Sequence, residues 1–567
     1  MRHAAHKQAP VQEHLEPELQ QRVEASWRKA QAHWSRFLLL GEPRAAKEGC
    51  SLAHIDLTTR QVWFNARELR SRSLLDSLEA VLAHEVGHHV RYPASLSVSA
   101  RLRMLEKTLL PLGDYSLINV FCDLLINAQL GEDEALRPQL IAIYRAFQKD
   151  VNWKQDPAFL FYLSIYEELW RLEPGSLMGP GAKAFSKHFP EARADAQLVA
   201  QNLFHLGPNI YTQFLYFLSI CTRYVQPPKA ELPQSADPQA CCRGEPSPED
   251  WAEALTPGAR EKEAVRRALA EGWLDEENAK RLVGDKVRER RIASLPGQGT
   301  ANAEAVPEVM AAYYRKEAER HLLRPPDRLT LGEAVVPTTL DEWEQGDPLP
   351  SVDWLATLSL RGERLGAVTP LKRERIADYE GQDVPLWQPR VEIYLDVSGS
   401  MPDPRATLNA MTLAAQILCV GAIRAGGWVR AVLYSTETVA YWEWCRSEVE
   451  MSRFLMHYIG GGTEFPFPLL SDSVRDQRGR QPTRVVITDR DFDHNYDSGD
   501  GNPRIFAEAV EASAPLVLLL HHPNPKRVAA YRKLGARVAE VAELEDFPKV
   551  AAALAHALFQ EERHVAL

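Results

Sequence analysis

Residues 391–401 read VEIYLDVSGSM, in which an apolar run leads directly into the pattern Asp-x-Ser-x-Ser. The run from Val391 to Leu395 predicts a buried strand, and Gly399 allows the tight turn that must follow it. Later in the chain, further strand-sized apolar runs alternate with helical stretches, and these runs are Trp428 to Tyr434, Val485 to Thr488, Leu516 to Leu520 and Val538 to Val541. The alternation predicts βαβ units and a parallel, doubly wound α/β sheet, which binds ligands at the carboxyl ends of its strands.

Oxygen-bearing side chains follow these strands or lie in the neighbouring loops. They are Asp396, Ser398, Ser400, Thr463 and Asp489. Because all of them lie at or near carboxyl ends of strands, we expect them to converge on one hard cation, Mg²⁺ or alternatively Mn²⁺ or Ca²⁺. Three of the five are neutral hydroxyls, so the ion would stay electrophilic. We therefore expect it to recognise a Glu or Asp of a partner protein.

A second motif lies much earlier, in a segment with apolar residues at helical spacing. His84-Glu85-Val-Gly-His88 is an HExxH pattern, and histidines four residues apart share one face of a helix. Both imidazoles could then bind one Zn²⁺, and Glu85 could act as the general base. The alternative is a pair of helix histidines with ordinary partners. An extended stretch around Trp63 precedes this helix and is expected to be the edge strand that pairs with substrate backbone.

The third zinc ligand must come from elsewhere in the chain. Asn119, Asp123 and Asn127 recur every four residues in the apolar segment LINVFCDLLINAQL. Polar groups are costly to bury without partners, which favours Asp123 as the ligand and the asparagines as groups that hold the ligands in place. Glu106 and Glu132 remain alternatives, and Cys122 ranks below them because it points about 100° away from Asp123 on a helix.

The composition excludes several classes of protein. A net charge of −11 argues against a general nucleic-acid binder, and no apolar run is long enough to span a bilayer. The N-terminus lacks the apolar core of a signal peptide, and the seven cysteines form no CxxC pair. We therefore expect a cytoplasmic location. There is no GxxxxGK[ST] motif, so any ATP-driven step requires another subunit.

The length of the chain and the change from mainly helical patterns to alternating strands and helices predict several domains. We expect a mainly helical domain over 1–225, a linker with a charged helix over 226–300, a connecting segment over 301–385 and the α/β domain over 386–567. The basic run from Lys286 to Arg291 is interrupted by Glu289 and is expected to be a solvated helix end.

The motifs DVSGSM, GGGTE and ITD resemble, in the same order, the metal-ion-dependent adhesion site of von Willebrand factor A (VWA) domains, which are Rossmann-like. The family usually has Gly after the Asp of the last motif, where this chain has Arg490. The pair HEVGHH and NVFCDLLIN resembles the zincin-like metallopeptidase domain fused upstream of VWA-like domains in bacterial proteins. This resemblance implies a MoxR-type AAA+ ATPase as the partner.

Together these features predict a zinc metallopeptidase fused to a VWA domain that docks a partner. In this prediction His84, His88 and Asp123 hold zinc, Glu85 is catalytic, and a peptide or protein is the substrate. Two alternatives stay open. One is a non-catalytic adaptor for the ATPase, with structural zinc. The other is a chelatase-like maturation factor for metalloenzymes, since chelatase subunits also carry VWA domains.

Overall fold

The computed structural model describes residues 15–46, 52–110, 116–148, 157–225, 242–295, 305–322, 334–344, 347–361, 369–378, 389–476 and 481–559. The chain divides into two compact units, each described here by itself. The first comprises residues 1–313 with 403–407, and the second comprises 314–402 with 408–567. No helix within the described ranges has the length and apolar character needed to cross a membrane.

The first unit is mainly helical. Its helices are α1 (Pro17–Trp34), α2 (Ala66–Ser71), α3 (Leu78–Val90), α4 (Leu96–Leu109), α5 (Ile118–Leu130), α6 (Arg137–Phe147), α7 (Pro157–Leu169), α8 (Ala182–His188), α9 (Ala192–Asn202), α10 (Ile210–Cys221), α11 (Pro248–Ala254), α12 (Ala259–Ala270), α13 (Glu276–Val283) and α14 (Val287–Ala293). Helix α15 (Ala305–His321) contains the residue at which the two units divide.

The HExxH motif lies on α3, which is packed closely between α1 and α5. A Cβ atom added at Gly87 would lie 2.5 Å from Trp34 on α1 and 2.8 Å from Ile126 on α5. The indole of Trp34 also donates a hydrogen bond of 2.7 Å to the carbonyl of Ala83. The glycine in the motif therefore permits the close helix contacts that hold the two histidines in the core.

Four short strands form a sheet beside these helices: β1 (Arg44–Ala45), β2 (Ala53–Asp56), β3 (Gln61–Phe64) and β4 (Cys242–Arg243), in the order β1-β3-β2-β4. The expectation that the strand of Trp63 lies at an edge is wrong. Strand β3 pairs with β2 on one side, and on the other side the two-residue strand β1 pairs with Trp63 and Phe64. The outer position next to β2 is filled by β4, which comes from much later in the chain.

The segment after residue 241 differs from the predicted linker with one charged helix. It forms four short helices, α11 to α14, while residues 226–241 lie outside the described ranges. Arg291, which was expected to lie at a solvated helix end, is fully buried. Its burial is possible because its guanidinium pairs at 2.9 Å with the buried carboxylate of Glu261. Glu261 also pairs with Arg101 of α4, which joins the segment to the rest of the unit.

The second unit is built on a six-stranded sheet in the order β12-β11-β10-β7-β8-β9. The strands are β7 (Arg390–Asp396), β8 (Trp428–Tyr434), β9 (Thr438–Cys445), β10 (Thr483–Asp489), β11 (Leu516–His521) and β12 (Arg537–Val541). All five predicted strands are confirmed and are mutually parallel. Strand β9 was not predicted and pairs antiparallel with β8, so the sheet is mixed.

Helices accompany this sheet, and a separate two-stranded sheet precedes it. The helices that follow β7 are α17 (Ala410–Arg424), α18 (Glu448–Phe454), α19 (Phe467–Arg475), α20 (Asp491–Asp497), α21 (Asn502–Glu511), α22 (Pro525–Lys533) and α23 (Phe547–Phe559), while α16 (Trp354–Arg361) contacts the small sheet. The small sheet pairs β5 (Ala334–Glu342) antiparallel with β6 (Leu371–Asp378).

Candidate metal centres

Three of the predicted zinc ligands converge in the first unit. Nε2 of His84 and Nε2 of His88 are 3.2 Å apart, because their positions four residues apart place them on one face of α3. Oδ1 of Asp123, on α5, lies 3.4 Å from the first nitrogen and 3.1 Å from the second. Within the described residues these three form the only cluster of His, Cys, Asp and Glu atoms that could hold a metal ion.

The arrangement fits a tetrahedral zinc ion. Ligand atoms about 2.0–2.1 Å from such an ion lie about 3.3 Å from one another, which agrees with the three separations measured here. Oδ1 of Asp123 is buried and has no hydrogen-bond partner within the described part of the chain. A buried carboxylate oxygen in that condition is costly unless a cation or donor satisfies it.

Hydrogen bonds hold both imidazoles in the orientation that zinc binding needs. Nδ1 of His88 donates to the carbonyl oxygen of Tyr92 at 2.8 Å. Nδ1 of His84 donates to Oδ1 of Asn127 at 2.8 Å. Each bond leaves the Nε2 lone pair directed at the cluster, as is typical of metal-binding histidines. The expected role of Asn127 is thus supported by its contact. Asn119, in contrast, is half-buried and makes no hydrogen bond to the cluster among the described residues.

Glu85 lies beside the cluster. Its side chain is buried, and its Oε2 has no hydrogen-bond partner among the described residues. Burial raises the pKa of Glu85 to about 8, against the lowering influence of His84 and of a hydrogen bond from the backbone of Ile55 on β2. A carboxyl group poised in this range is suited to take up and release a proton near neutral pH.

In the metal-free protein, His84 and Asp123 shift each other's pKa. Burial lowers the pKa of His84, but the charge and hydrogen bond of Asp123, together with Glu85 and Asn127, raise that pKa to about 9. Burial raises the pKa of Asp123, but the charges and hydrogen bonds of the His84 and His88 imidazoles more than offset this and leave the pKa below its usual value. Asp123 therefore stabilises positive charge at this point, whether it is carried by an imidazolium or by a metal ion.

The alternative third ligands lie elsewhere. Glu106 is buried and accepts hydrogen bonds from Ser116 Oγ at 2.7 Å and from the backbone N–H of Leu117 at 2.6 Å, just before the start of α5. Glu132 is exposed, and Cys122 is buried in the core, and neither belongs to the cluster.

Sequence reasoning missed three residues around this site. The hydroxyls of Tyr144, Tyr162 and Tyr166 form a buried group that contacts Asn127. A signal for two of them is present, since Tyr162 and Tyr166 are four residues apart in the apolar helix α7. Buried tyrosines need hydrogen-bond partners, so such a pair indicates a polar neighbour.

The second predicted centre lies at the carboxyl ends of β7 and β10. Asp396 is buried, and its two oxygens accept hydrogen bonds from the backbone N–H of Ser398 at 3.0 Å and from the hydroxyl of Thr488 at 2.9 Å. The hydroxyls of Ser398 and Ser400 are 3.1 Å apart. The structure thus brings three of the five predicted ligands together in one turn, where the Asp-x-Ser-x-Ser spacing places them.

The Gly-rich loop lies against that turn. The backbone N–H of Gly399 donates to the carbonyl of Gly461 at 2.8 Å, and that of Gly460 donates to Val397 at 3.1 Å. Thr463 follows on this loop, and its carbonyl accepts a bond of 3.0 Å from Asn495. Its hydroxyl makes no hydrogen bond with the two serines within the described residues.

Asp489 ends β10 and is partly exposed. Burial raises the pKa of Asp396, and the charge of Asp489 also contributes to the rise, so the two carboxylates are close enough to repel each other. A cation would relieve that repulsion, and the oxygen-only donor set fits a hard divalent ion. Arg490, where the VWA family usually has Gly, is exposed and has helical backbone angles at the start of α20, so no glycine is needed there.

Comparison with protein-family models gives no match, and comparison with curated proteins gives none. Among solved structures, the chain is similar to a von Willebrand factor type A from Catenulispora acidiphila, with 12% identity over 33% of this chain and 44% of that chain, and a TM-score of 0.23. It is also similar to an aerotolerance-related membrane protein from Bacteroides fragilis NCTC 9343 with multiple mutations to serines. That match has 13% identity over 30% of this chain and 99% of that chain, with a TM-score of 0.21. The chain therefore spans less than half of the first structure, and at these TM-scores neither likeness carries an argument about this chain.

Proposed function

We propose that the first unit is a zinc-dependent metallopeptidase and that the second is a VWA-like domain that docks an acidic partner residue through Mg²⁺. One observation supports the metallopeptidase proposal most directly. Three buried ligand atoms lie 3.1–3.4 Å apart, beside the buried carboxyl of Glu85, whose Oε2 has no hydrogen-bond partner among the described residues.

In this proposal His84, His88 and Asp123 would hold the zinc ion. Zinc, when bound, lowers the pKa of a water molecule and polarises a peptide carbonyl. Glu85 takes the proton of the attacking water at Oε2 and then passes it to the leaving amine. Asn127 and the carbonyl of Tyr92 keep the imidazoles oriented throughout.

The docking role rests on the donor set at the end of β7. Asp396 supplies negative charge, while Ser398, Ser400 and Thr463 supply neutral hydroxyls that leave much of the charge of a divalent ion uncompensated. A carboxylate from another protein is the ligand such an ion would attract. The order of the three motifs and the central placement of β7 in a mixed six-stranded sheet support a VWA-like assignment. We propose a MoxR-type AAA+ ATPase as the partner, since this chain has no P-loop motif of its own.

Metal analysis tests the zinc site. We expect about one zinc ion per chain in wild-type protein purified without chelator, and loss of zinc in His84→Ala and Asp123→Ala. His89→Ala is the matched control, because His89 is next to His88 on the same helix but outside the cluster, and it should retain zinc. Wild-type protein without zinc would rule out the peptidase.

A non-catalytic adaptor with structural zinc is the second candidate, favoured by the low exposure of the cluster. Glu85, His88 and Asp123 are at most 3% exposed. The two candidates differ in the effect of Glu85→Gln on cleavage of a denatured protein substrate. For a peptidase, Glu85→Gln keeps its zinc and loses at least 100-fold in rate. For an adaptor, neither wild type nor variant cleaves, and partner binding is unchanged.

A further inference from the structure

Behind the zinc ligands lies a buried group of hydrogen-bonding side chains, which we call the tyrosine cluster: Tyr144 on α6 with Tyr162 and Tyr166 on α7. All three side chains are buried, and their hydroxyls contact one another and the amide of Asn127. One hydroxyl, that of Tyr166, also reaches the backbone carbonyl of Asp123 at 3.0 Å.

The cluster contains five hydrogen-bond contacts besides the one to His84. Nδ2 of Asn127 lies 2.7 Å from the Tyr144 hydroxyl and 3.2 Å from the Tyr166 hydroxyl. The Tyr162 hydroxyl lies 2.8 Å from that of Tyr144 and 2.7 Å from that of Tyr166. The fifth contact is the one from Tyr166 to the Asp123 carbonyl, which can only accept.

Counting protons shows that only one orientation of the Asn127 amide satisfies all five contacts. With Nδ2 towards the tyrosines, three hydroxyl protons and two amide protons serve the five contacts. Tyr166 then donates to Asp123, Tyr162 to Tyr166, and Tyr144 to Tyr162. If the amide were reversed, only the three hydroxyl protons would remain, and two buried contacts would have none.

We infer that the tyrosine cluster is a set of positioning residues that fixes the Asn127 amide, and through it the imidazole of His84, for zinc. With Nδ2 held by the tyrosines, Oδ1 must face His84, and an oxygen there accepts only from a protonated Nδ1. The lone pair of His84 is then on Nε2, which faces the other two ligands. The inference rests on the proposed zinc site and extends it to residues that touch neither metal nor substrate.

The test replaces single hydroxyls. In Tyr162→Phe the two amide orientations differ by one satisfied contact, where in the wild type they differ by two, and the same is true of Tyr144→Phe. We expect each variant to bind zinc about 10- to 100-fold more weakly, as is typical when a group that orients a metal ligand is lost. Tyr224→Phe is the matched control. Its hydroxyl is buried in the same unit and donates to Asp195 at 2.7 Å, away from the cluster, so its zinc affinity should stay that of the wild type.

A second readout separates positioning from general loss of stability. In cobalt(II)-loaded protein, the Nδ1–H protons of His84 and His88 should give separate shifted, exchangeable NMR signals. Tyr162→Phe should speed solvent exchange of the His84 proton alone, because His88 is held by the Tyr92 carbonyl. Zinc affinity and His84 exchange both equal to the wild type would overturn the inference while leaving the zinc site intact. Absence of zinc from the wild-type protein would overturn the site itself, and the inference with it.

Discussion

The carboxylate of Asp123 and the imidazole of His88 lie 3.1 Å apart on two different helices, with no hydrogen bond to Oδ1 of Asp123 among the described residues. The same oxygen also faces His84. One carboxylate thus provides the negative charge against which both imidazoles are buried. The titration of His84 depends on this carboxylate.

Removing that charge should reverse the titration of His84. In metal-free Asp123→Asn, burial still lowers the pKa of His84, but the negative charge that raised this pKa is gone. The pKa of His84 should therefore fall from about 9 to below its ordinary value of 6.5. Histidine NMR titration of the chelated protein measures this. Asp133→Asn is the control. It removes a partly exposed carboxylate of the same unit that lies 3.3 Å from the imidazole of His33, and it should leave the pKa of His84 unchanged. A pKa near 9 in Asp123→Asn would contradict the assignment.

Glu106 should make the first unit less stable as the pH rises. Burial raises its pKa to about 7, against hydrogen bonds from Ser116 and Leu117. The folded protein therefore binds this proton more tightly than the unfolded chain, whose pKa is near 4.5. The stabilisation is full below pH 4.5 and is lost between pH 4.5 and 7, amounting to about 2–4 kcal/mol. Hydrogen exchange of the Leu117 region, followed against pH, should show this trend in the wild type. Glu106→Gln should flatten it, and an equally steep trend in that variant would contradict the prediction.

In the second unit, Glu392 of β7 lies in one row of the sheet between Arg430 of β8 and Arg484 of β10. Its Oε2 lies 2.9 Å from the guanidinium of Arg430 and 3.5 Å from that of Arg484, and all three side chains are buried. Glu392→Gln leaves two buried cations without their shared anion and should destabilise the unit by about 3–5 kcal/mol.

Hydrogen exchange of the β7 and β10 amides measures this loss, and the exchange should become much faster in Glu392→Gln. Glu443→Gln is the control, because Glu443 is exposed on the edge strand β9 and should have little effect. Equal exchange rates in the two variants would show that the buried row contributes no stability.

The turn at Gly399 should accommodate a side chain only if the neighbouring backbone shifts. A Cβ atom there would lie 3.0 Å from the carbonyl oxygen of Gly461, which accepts the backbone hydrogen bond of Gly399. In Gly399→Ala the Gly-rich loop must move away, so Mg²⁺ binding measured by calorimetry should weaken at least tenfold. Gly501→Ala meets no atom within 4 Å and should bind Mg²⁺ like the wild type. Unchanged binding in Gly399→Ala would show that the two loops do not form one site.

Local sequence was sufficient for features that depend on short spacing. The HExxH spacing places His84 and His88 on one face whatever surrounds the helix, because the α-helical repeat is a property of the backbone. The five parallel strands were readable because strands of a parallel sheet are mostly apolar, with exceptions such as Glu392, Arg430 and Arg484. For the same reason the Asp-x-Ser-x-Ser turn could be placed at the end of a strand.

Features that depend on which distant segments meet were decided only by the tertiary structure. The four-residue polar repeat favoured Asp123, but only the packing of α5 against α3 shows that Asp123 lies beside the two histidines while Glu106, Glu132 and Cys122 do not. Strand β9 is partly exposed and lacks a continuous apolar run, so its pattern gave no comparable signal. Strand β4 and the tyrosine cluster arise where segments far apart in the sequence satisfy each other's hydrogen bonds. Short-range spacing determined which side chains could bind a metal, and burial with long-range hydrogen bonding decided which of them do meet.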